Sequence, residues 1–337
     1  MKQEESRVAV AVIGGGPVGI AVAAELKKRG IESLIIEKGA VTESIRRYPK
    51  RMKFFSTAEN IEIAGIPFAT SEVKANRNEA LQYYRKVAAY FDLSFELHTE
   101  VQQVKRKEGI FEIHCNGGKL IRAQKVVIAT GYFTKARKLG IEGEELPHVS
   151  HYYEEPYAHS FSKVAIVGGG NSAVEAALEL YRHDVDVTMV LRGSDIKPTA
   201  KYWLVPDLKN RIKEGKIKVL KEHRALRIVP GKLLLQNAEG REVELPADAV
   251  YLLTGYLPDA DFLKACGLQP EPDSLLLKHH PETLESEVDG LYLAGTVLAG
   301  VHTEKVFIEN GRDHAIAIAD HISASFEKGV PSPATEQ

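Results

Sequence analysis

The chain has 337 residues, which is long enough for two domains, and its composition is that of an ordinary globular protein. A formal net charge of −2 gives no electrostatic reason to expect nucleic acid or an anionic membrane as a partner. No apolar run approaches ~18 residues and the charged N-terminal residues do not resemble a signal peptide, so we expect no membrane span and a cytoplasmic location. Two distant cysteines, Cys115 and Cys266, exclude a disulfide framework and a cysteine-rich zinc site, and no metal is expected.

Residues 8–38 carry the most informative pattern of the first half. The apolar, β-branched run 8–13 is typical of a strand buried on both faces, and it leads into GGGPVG at 14–19. Helical spacing follows and ends at Gly30, a predicted C-cap. A second buried strand then ends at Glu37. This order predicts a strand–helix–strand dinucleotide site with glycines at all three G-x-G-x-x-G positions.

Each part of this fingerprint has a physical task. Gly14 makes the tight turn, Gly16 lets the backbone approach a pyrophosphate, and Gly19 lets the helix pack closely on the strand. The helix N terminus offers free N–H groups and a positive dipole end to the phosphates. Glu37 can accept hydrogen bonds from the adenosine ribose hydroxyls, which suits an unphosphorylated ribose such as that of FAD.

The next stretch, 39–67, reads as a long irregular connection with cations and aromatics. It either holds a flavin ring and its phosphates or is a solvated loop with two core phenylalanines. A helix at 78–91 and short strands of a small antiparallel crossover sheet are predicted next, the strands at 95–104, 110–115 and 119–122. A third buried strand, 125–131, ends in Ala-Thr-Gly, and residues 143–157 read as a linker.

The opening pattern recurs from residue 163. A strand leads into GGGNSA at 168–173, where Ala173 replaces the third glycine, which the fingerprint permits. A helix and a strand follow, and that strand ends at Arg192 rather than at an acid. A guanidinium can bind a 2′-phosphate bidentately, and Lys197 and Lys201 add charge nearby, although Arg192 can also be read as a surface arginine. Two fingerprints in full context imply two dinucleotide sites, and the second suits NADPH.

The rest of the chain extends this duplication. A helix at 202–213 precedes short antiparallel strands predicted at 217–220, 225–229, 232–236 and 242–245. The run 249–255 repeats the apolar strand ending in Thr-Gly, and a last strand, 290–295, ends in Ala-Gly. Helical spacing over 304–325 predicts a helix whose N terminus faces a reduced flavin. His302 precedes it, and a structural role is the alternative to a catalytic one.

These features together resemble the low-molecular-weight thioredoxin reductase-like flavoproteins. More closely, YP at 48–49 with FFS at 54–56, the run 76–84, YWLVPD at 202–207 and FIENGR at 307–312 resemble the bacillithiol disulfide reductase (YpdA-type) family. The resemblance implies an α/β fold with two Rossmann-like dinucleotide-binding domains. It implies an FAD-binding domain at 1–155 and 256–337, split around an inserted NADPH-binding domain at 156–255, and a homodimer or higher homo-oligomer.

The implied activity is that of an NADPH-dependent FAD oxidoreductase that reduces a low-molecular-weight thiol disulfide or serves a small redox protein. Three departures matter: no C-x-x-C follows the second fingerprint, Val18 stands where many family members carry a cysteine, and Thr296 replaces a usual acid. For disulfide reduction without an enzyme thiol, His302 and Tyr48 are the candidate proton donors.

The sequence is compatible with three other functions. One is a ferredoxin- or flavodoxin-NADP reductase, which needs a basic docking face. Residues that can supply one are Arg46, Arg47, Lys50, Arg51 and Lys53. The others are a flavin monooxygenase, whose linker signature is missing before the second fingerprint, and a non-enzymatic redox sensor.

The predicted site residues fall into two sets. Predicted FAD contacts are Gly14, Gly16, Pro17, Val18, Gly19, Glu37, Lys38, Ser44, Tyr48, Phe55, Val101, Ala129, Thr130, Gly131, Gly295, Thr303 and Lys305. Predicted NADPH contacts are Gly168, Gly170, Asn171, Ser172, Ala173, Arg192, Lys197, Lys201, Thr254 and Gly255.

Overall fold

A computed structural model describes residues 5–303 and 305–328 of the chain. The described chain divides into two compact units. The first unit contains the described residues up to Arg46, Ser56–Lys135 and the described residues from Leu257 onward. The second unit contains Arg47–Phe55 and Ala136–Tyr256.

Fifteen strands and seven α-helices are numbered here in chain order. The strands are β1 (Glu5–Ile13), β2 (Ser33–Ile36), β3 (Ser94–Glu96), β4 (Val101–Lys107), β5 (Ile110–Cys115), β6 (Leu120–Ile128), β7 (Val149–Ser150), β8 (Lys163–Val167), β9 (Asp186–Val190), β10 (Ile217–Leu220), β11 (Arg224–Val229), β12 (Lys232–Gln236), β13 (Glu242–Pro246), β14 (Ala249–Leu252) and β15 (Leu291–Leu293). The helices are α1 (Pro17–Lys28), α2 (Glu43–Arg46), α3 (Arg77–Tyr90), α4 (Asn171–Tyr181), α5 (Val205–Lys213), α6 (Ala260–Ala265) and α7 (Ile308–Lys328).

The first unit is built on a seven-stranded sheet in the order β3-β2-β1-β6-β5-β4, with β15 also paired to β6. The strands β3, β2, β1, β6 and β15 run parallel, whereas β4 and β5 are antiparallel additions. Ile13 is in register with both Ile36 and Ile128, so the carboxyl ends of three strands meet at one edge. Helices α1 and α7 pack against each other. Val10, Ala11 and Val12 are fully buried, as the apolar run of β1 predicts.

The second unit contains a five-stranded, all-parallel sheet in the order β10-β9-β8-β14-β7. Val167 is in register with both Val190 and Leu252, which repeats the arrangement of strand ends in the first unit. A separate antiparallel sheet consists of β11, β12 and β13. The parallel sheet is buried by α4 and α5 on one side, where Val174, Leu178 and Leu208 pack.

The predicted fold class, an α/β fold with Rossmann-like parallel sheets, is confirmed. Four element predictions were wrong. The single strand predicted at 95–104 is two strands, β3, which pairs parallel to β2, and β4, which pairs with β5. The strands predicted at 119–122 and 125–131 are one continuous strand, β6, which pairs with β5 along its first half and with β15 along its second. The strand at 217–220, β10, is parallel to β9 rather than part of the antiparallel sheet. Residues 143–157 are not only a linker, because they contain β7 beside β14.

The units differ from the predicted domains in two places. The change of unit lies at Ala136 rather than at 156, and the short segment Arg47–Phe55 is grouped with the second unit. The predicted start of the last helix, Glu304, lies outside the described residues, as do the outermost termini of the predicted FAD domain. No helix of the described chain is long and apolar enough to cross a membrane.

The start of α3 offers a test of the local structure. The Asn76 side chain accepts hydrogen bonds from the N–H groups of Asn78 and Glu79, and the Glu79 carboxylate accepts from the Asn76 N–H, which is a complete capping box. We expect Asn76→Ala to lower the free energy of unfolding by about 1 kcal/mol, measured by urea denaturation. Asn78→Ala, at an exposed position in the same turn, is the control and should change it by less than about 0.5 kcal/mol. Equal losses in both variants would contradict the capping assignment.

Candidate functional site

The first glycine loop is shaped by two close backbone approaches. Gly14 adopts a φ of +112°, its N–H donates to the carbonyl of Ile36 at 2.9 Å, and a Cβ built on it would lie 2.5 Å from the carbonyl oxygen of Ala129. A Cβ on Gly19 would lie 1.9 Å from the carbonyl oxygen of Gly14. Both positions therefore require glycine, as the sequence predicts.

Gly16 is different, because apart from its two chain neighbours no heavy atom of the described chain lies within 4 Å of a Cβ built on it. It is the N-cap of α1, and among the described residues no side chain caps this helix end. Pro17 follows at the first helical position, which leaves the N–H groups of the next residues to point out of the helix. Open space beside exposed N–H donors is what a pyrophosphate needs, so the loop fits the predicted dinucleotide.

Glu37 at the end of β2 is buried and holds the loop in place. Its Oε2 accepts a hydrogen bond from the Gly15 N–H at 2.7 Å, and its Oε1 accepts from the Gly39 N–H at 2.8 Å. An ionised carboxylate has about four acceptor positions, so each oxygen keeps capacity for a ribose hydroxyl. Glu37 thus fits the predicted ribose role and adds a second task, the connection between β2 and the glycine loop.

Several other predicted FAD residues belong to the same unit. The tripeptide 129–131 follows β6 directly, and Gly131 has a φ of +65°. Gly295 follows β15 with a φ of +76° and starts a 3₁₀ turn. Val18 packs against this turn, since a Cβ on Gly295 would lie 3.1 Å from the Val18 Cγ2.

The remaining first-unit residues are more scattered. Val101 is buried at the start of β4, Ser44 lies in α2, and Lys38 is 3.8 Å from Glu100. His302 and Lys305 are exposed, and Thr303 lies between them in the segment before α7.

The second glycine loop repeats the geometry of the first. Gly168 has a φ of +143°, its N–H donates to the Val190 carbonyl at 3.0 Å, and its Cβ would lie 2.3 Å from the Leu253 carbonyl oxygen. Gly170 is the N-cap of α4, and no described side chain caps it. Ala173 is fully buried at the third position. The loop therefore also fits a dinucleotide phosphate at a helix N terminus.

The segment after β9 is tied to this loop. The Lys197 N–H donates to the Gly169 carbonyl at 3.0 Å, and the Lys201 N–H donates to Asn171 Oδ1 at 2.7 Å. Arg192 and Lys197 have exposed side chains, and Thr254 donates its hydroxyl to the Arg137 carbonyl.

Lys201 is placed differently from the prediction that it contacts a 2′-phosphate. Its side chain is buried, and its ammonium group donates to Glu175 on α4 and, at 2.6 Å, to the carbonyl of Lys53. Burial raises the pKa of Glu175, and the Lys201 charge opposes that rise. A cation committed to a partly buried carboxylate is a structural partner. Arg192 and Lys197 are the cations that remain for the phosphate.

Tyr48 and Phe55, predicted to contact FAD, lie in the segment that is grouped with the second unit. The Tyr48 ring is 6.4 Å from that of Phe54, and the Phe55 ring is 5.6 Å from that of Trp203. Phe55 also meets the ring of Tyr202, at 6.5 Å. The interpretation of residues 39–67 as a flavin-binding loop did not predict that Arg47–Phe55 belongs to the second unit.

The five residues proposed as a docking face also make local contacts, four through the charged side chain and Lys53 through its backbone carbonyl. Arg46 pairs with Glu43, and the Arg47 guanidinium lies 4.4 Å from the centre of the Tyr152 ring. The Arg51 guanidinium donates to the Tyr157 hydroxyl at 2.5 Å. Lys50 lies 4.0 Å from Glu155, while Lys53 gives its carbonyl to Lys201.

Both cysteines are free and buried. Burial raises the pKa of Cys115 to about 11 and that of Cys266 to about 12. Since the thiolate is the reactive form, neither is suited to redox chemistry at neutral pH. No group of histidine, cysteine or acidic side chains that could hold a metal occurs in the described part of the chain.

Sequence reasoning missed two polar side chains beside the loops. One is Glu175 on α4, whose partner Lys201 follows 26 residues later on another segment, so no local pattern indicates the pair. The other is His314 on α7, which accepts a hydrogen bond from the Gly295 N–H at 3.1 Å. The sequence pattern of the helix does not predict this contact.

Comparisons with known proteins give a consistent result. A family model described as pyridine nucleotide-disulphide oxidoreductase matches residues 11–295. Bacilliredoxin reductase Bdr of Bacillus subtilis is 34% identical over 312 residues, which are 93% of this chain and 96% of that protein. The structures of bacillithiol disulfide reductase Bdr (YpdA) from Staphylococcus aureus and Bacillus cereus are 35% and 33% identical, with TM-scores of 0.91 and 0.92. Each match covers 95% of this chain and 99% or 100% of the other. The resemblance predicted from the sequence is confirmed.

The two kinds of glycine in the first loop give a matched pair of variants. Gly19→Ala places a methyl group against the Gly14 carbonyl, so we expect it to lower the free energy of unfolding by about 3 kcal/mol. Gly16→Ala places the methyl group in open space and should change stability by less than about 1 kcal/mol. It should nevertheless weaken FAD retention at least ~10-fold, because the methyl group occupies the path of the pyrophosphate. Urea denaturation and the ratio of flavin to protein absorbance measure both effects, and full FAD retention in Gly16→Ala would contradict the assignment.

Arg192 gives a test of nucleotide choice. Arg192→Ala should raise the Kd for NADPH about 10- to 100-fold, since a charge-assisted pair with the 2′-phosphate is lost, and should leave the Kd for NADH unchanged. Arg241→Ala, at an exposed turn between β12 and β13, is the control. Titration of flavin reduction under anaerobic conditions gives both constants, and an equal loss for NADPH and NADH would contradict the phosphate role.

Proposed function

Since this chain belongs to the pyridine nucleotide-disulphide oxidoreductase family, we propose that it uses NADPH to reduce the disulfide of bacillithiol or a closely similar low-molecular-weight thiol. It is an oxidoreductase, and its cofactors are FAD and NADPH, as the sequence predicts. The observation that carries the proposal is a pair of glycine loops in a chain that matches Bdr proteins over nearly its whole length. The strand after the first loop's helix leads to a buried acid, Glu37, and the strand after the second loop's helix leads to an exposed arginine, Arg192.

The reaction consumes one proton. Each disulfide takes a hydride from NADPH and one proton from the protein or solvent, and gives two thiols and NADP⁺. When bound, FAD supplies the two-electron carrier between nicotinamide and disulfide. The first glycine loop and Glu37 would hold its phosphates and ribose, while the loop at Gly168 with Arg192 and Lys197 would hold NADPH. His302, whose side chain is exposed, is our first proton-donor candidate, and Tyr48 in the second unit is the other.

We infer that no thiol of the chain takes part. Val18 replaces the cysteine that the resemblance leads one to expect in the glycine loop, and its side chain packs between Gly295 and Gly311. Cys115 and Cys266 are buried with raised pKa values. The disulfide would therefore be reduced without a mixed disulfide to the protein.

We further propose that the FAD contacts are those of the predicted residues that lie in the first unit. The NADPH contacts would be the predicted set without Lys201, whose ammonium group is committed to Glu175. The proposal includes a homodimer or higher homo-oligomer, as the family resemblance implies. It also includes a cytoplasmic location, because NADPH-dependent thiol reduction belongs to a reducing compartment.

The ferredoxin-NADP reductase alternative is less well supported. It needs a basic face that is free to meet a partner, and four of the five cations in the 46–53 segment already contact a carboxylate or an aromatic ring of this chain.

The proposal is tested by anaerobic stopped-flow absorbance of the flavin. The NADPH-reduced protein is mixed with bacillithiol disulfide or with oxidised ferredoxin, and we expect the disulfide to reoxidise it at least ~10-fold faster. A variant with both cysteines replaced, Cys115→Ala with Cys266→Ala, should keep the disulfide rate within about twofold, because neither thiol is reactive.

Reoxidation by ferredoxin alone would move the chain to the NADP reductase group. Loss of the disulfide rate in a cysteine-free variant that retains FAD would overturn the thiol-independent route, and failure of NADPH to reduce the flavin would overturn the whole proposal.

A further inference from the structure

We propose that His314 is a positioning residue for the flavin site, and that its neutral imidazole holds the turn after β15 against the first glycine loop. The inference concerns residues of the first unit only. It rests on FAD being the ligand of that unit.

One face of α7 makes both contacts. Gly311 and His314 are three residues apart and therefore lie on the same side of the helix. A Cβ on Gly311 would lie 2.4 Å from the Val18 Cγ2, so this glycine provides the space that Val18 occupies. One turn later, His314 Nδ1 accepts the hydrogen bond from the Gly295 N–H at 3.1 Å. Helix α7 thus fixes the glycine loop and the turn after β15 relative to each other.

The direction of the hydrogen bond determines the tautomer. A backbone N–H can only donate, so Nδ1 must accept and the ring proton must lie on Nε2. Protonation of Nδ1 would place two donors face to face at this distance. The Gly295 N–H would then lose its acceptor, and the turn its connection to α7.

The surroundings favour the neutral ring. Burial lowers the pKa of His314; the neighbouring Asp313 carboxylate raises it in part, and His279, on the segment before β15, lowers it. These are the charged groups that act on the ring in the described structure. The pKa of His314 in the folded protein lies below the ordinary value for histidine. The hydrogen bond is therefore fully formed above the ordinary pKa, and it is lost as the pH falls through the lowered pKa of the folded protein.

The position of the turn explains why the contact matters. The resemblance leads one to expect an acid directly after Gly295, and this chain has Thr296 there. The position of the turn therefore depends on hydrogen bonds to its backbone. His314 provides one of them, by accepting from the Gly295 N–H. Its effect on the cofactor would be indirect, through Gly295 and through Val18, which packs on it.

The test is the pH dependence of FAD affinity, measured by flavin fluorescence during reconstitution of the apoprotein between pH 7.5 and 5.0. For the unaltered protein we expect the Kd to rise at least about threefold, with a slope that approaches one logarithmic unit per pH unit. His314→Asn keeps an acceptor that does not titrate, so its Kd should stay within about twofold over the range. His314→Phe lacks an acceptor and should show the weak, low-pH affinity at every pH.

His321→Asn is the matched control, because His321 lies on the same helix but contacts the Tyr292 hydroxyl instead of the turn. It should keep the slope of the unaltered protein. The inference is overturned if the unaltered protein shows no slope, if His314→Asn keeps the full slope, or if His321→Asn removes it.

A second measurement needs no variant. Long-range ¹H–¹⁵N NMR of the FAD-loaded protein reads the tautomer of His314, and an Nδ1–H tautomer at pH 7.5 would also overturn the inference. A protein that binds no FAD at any pH would instead overturn the cofactor assignment, so the two failures can be told apart.

Discussion

The close approach of one backbone carbonyl to one glycine determines how each unit presents its ligand-binding edge. In the first unit Gly14 lies against the Ala129 carbonyl, and in the second Gly168 lies against the Leu253 carbonyl. Each glycine also donates its N–H to the strand on its other side, at Ile36 or Val190. The glycine is thereby fixed between two neighbouring strands of a parallel sheet, and the helix that follows must begin at the carboxyl edge. Any side chain at these positions would displace the helix from that edge.

The same geometry carries different chemistry at the end of the second strand. Glu37 is buried and gives its two oxygens to backbone N–H groups, so the acid is part of the loop's own structure. Arg192 is exposed, and the loop beside it is instead held by backbone contacts of the 197–201 segment. In the first site the acidic side chain, Glu37, is hydrogen-bonded to the loop itself. In the second site the side chain of Arg192 is exposed and can contact the phosphate of a bound ligand. This difference suits two nucleotides that differ by a phosphate.

The sequence predicted the features that depend on local rules. The two loops, the helices behind them and most of the buried strands follow from glycine positions and from apolar periodicity, and these were located within a few residues. What it missed depends on pairing between distant segments. Nothing near β10 shows that it pairs with β9, and Lys201 was read as a ligand because its partner Glu175 lies on another element. The contact between His314 and Gly295 likewise joins residues that only the folded chain brings together.

The path of the chain has a consequence for the order in which this protein can fold during synthesis. The sheet of the first unit needs β15, which pairs with β6, and α1 needs α7 as its packing partner. Both arrive only after the whole second unit has been made. Until these segments are synthesised, the backbone of Val126–Ile128 lacks its β15 partner and the apolar face of α1 lacks α7. The second unit depends less on later segments, since its last strand, β14, pairs with β7 and β8, which have already been made. Nascent chains of intermediate length would thus be the species most exposed to aggregation and most dependent on chaperones.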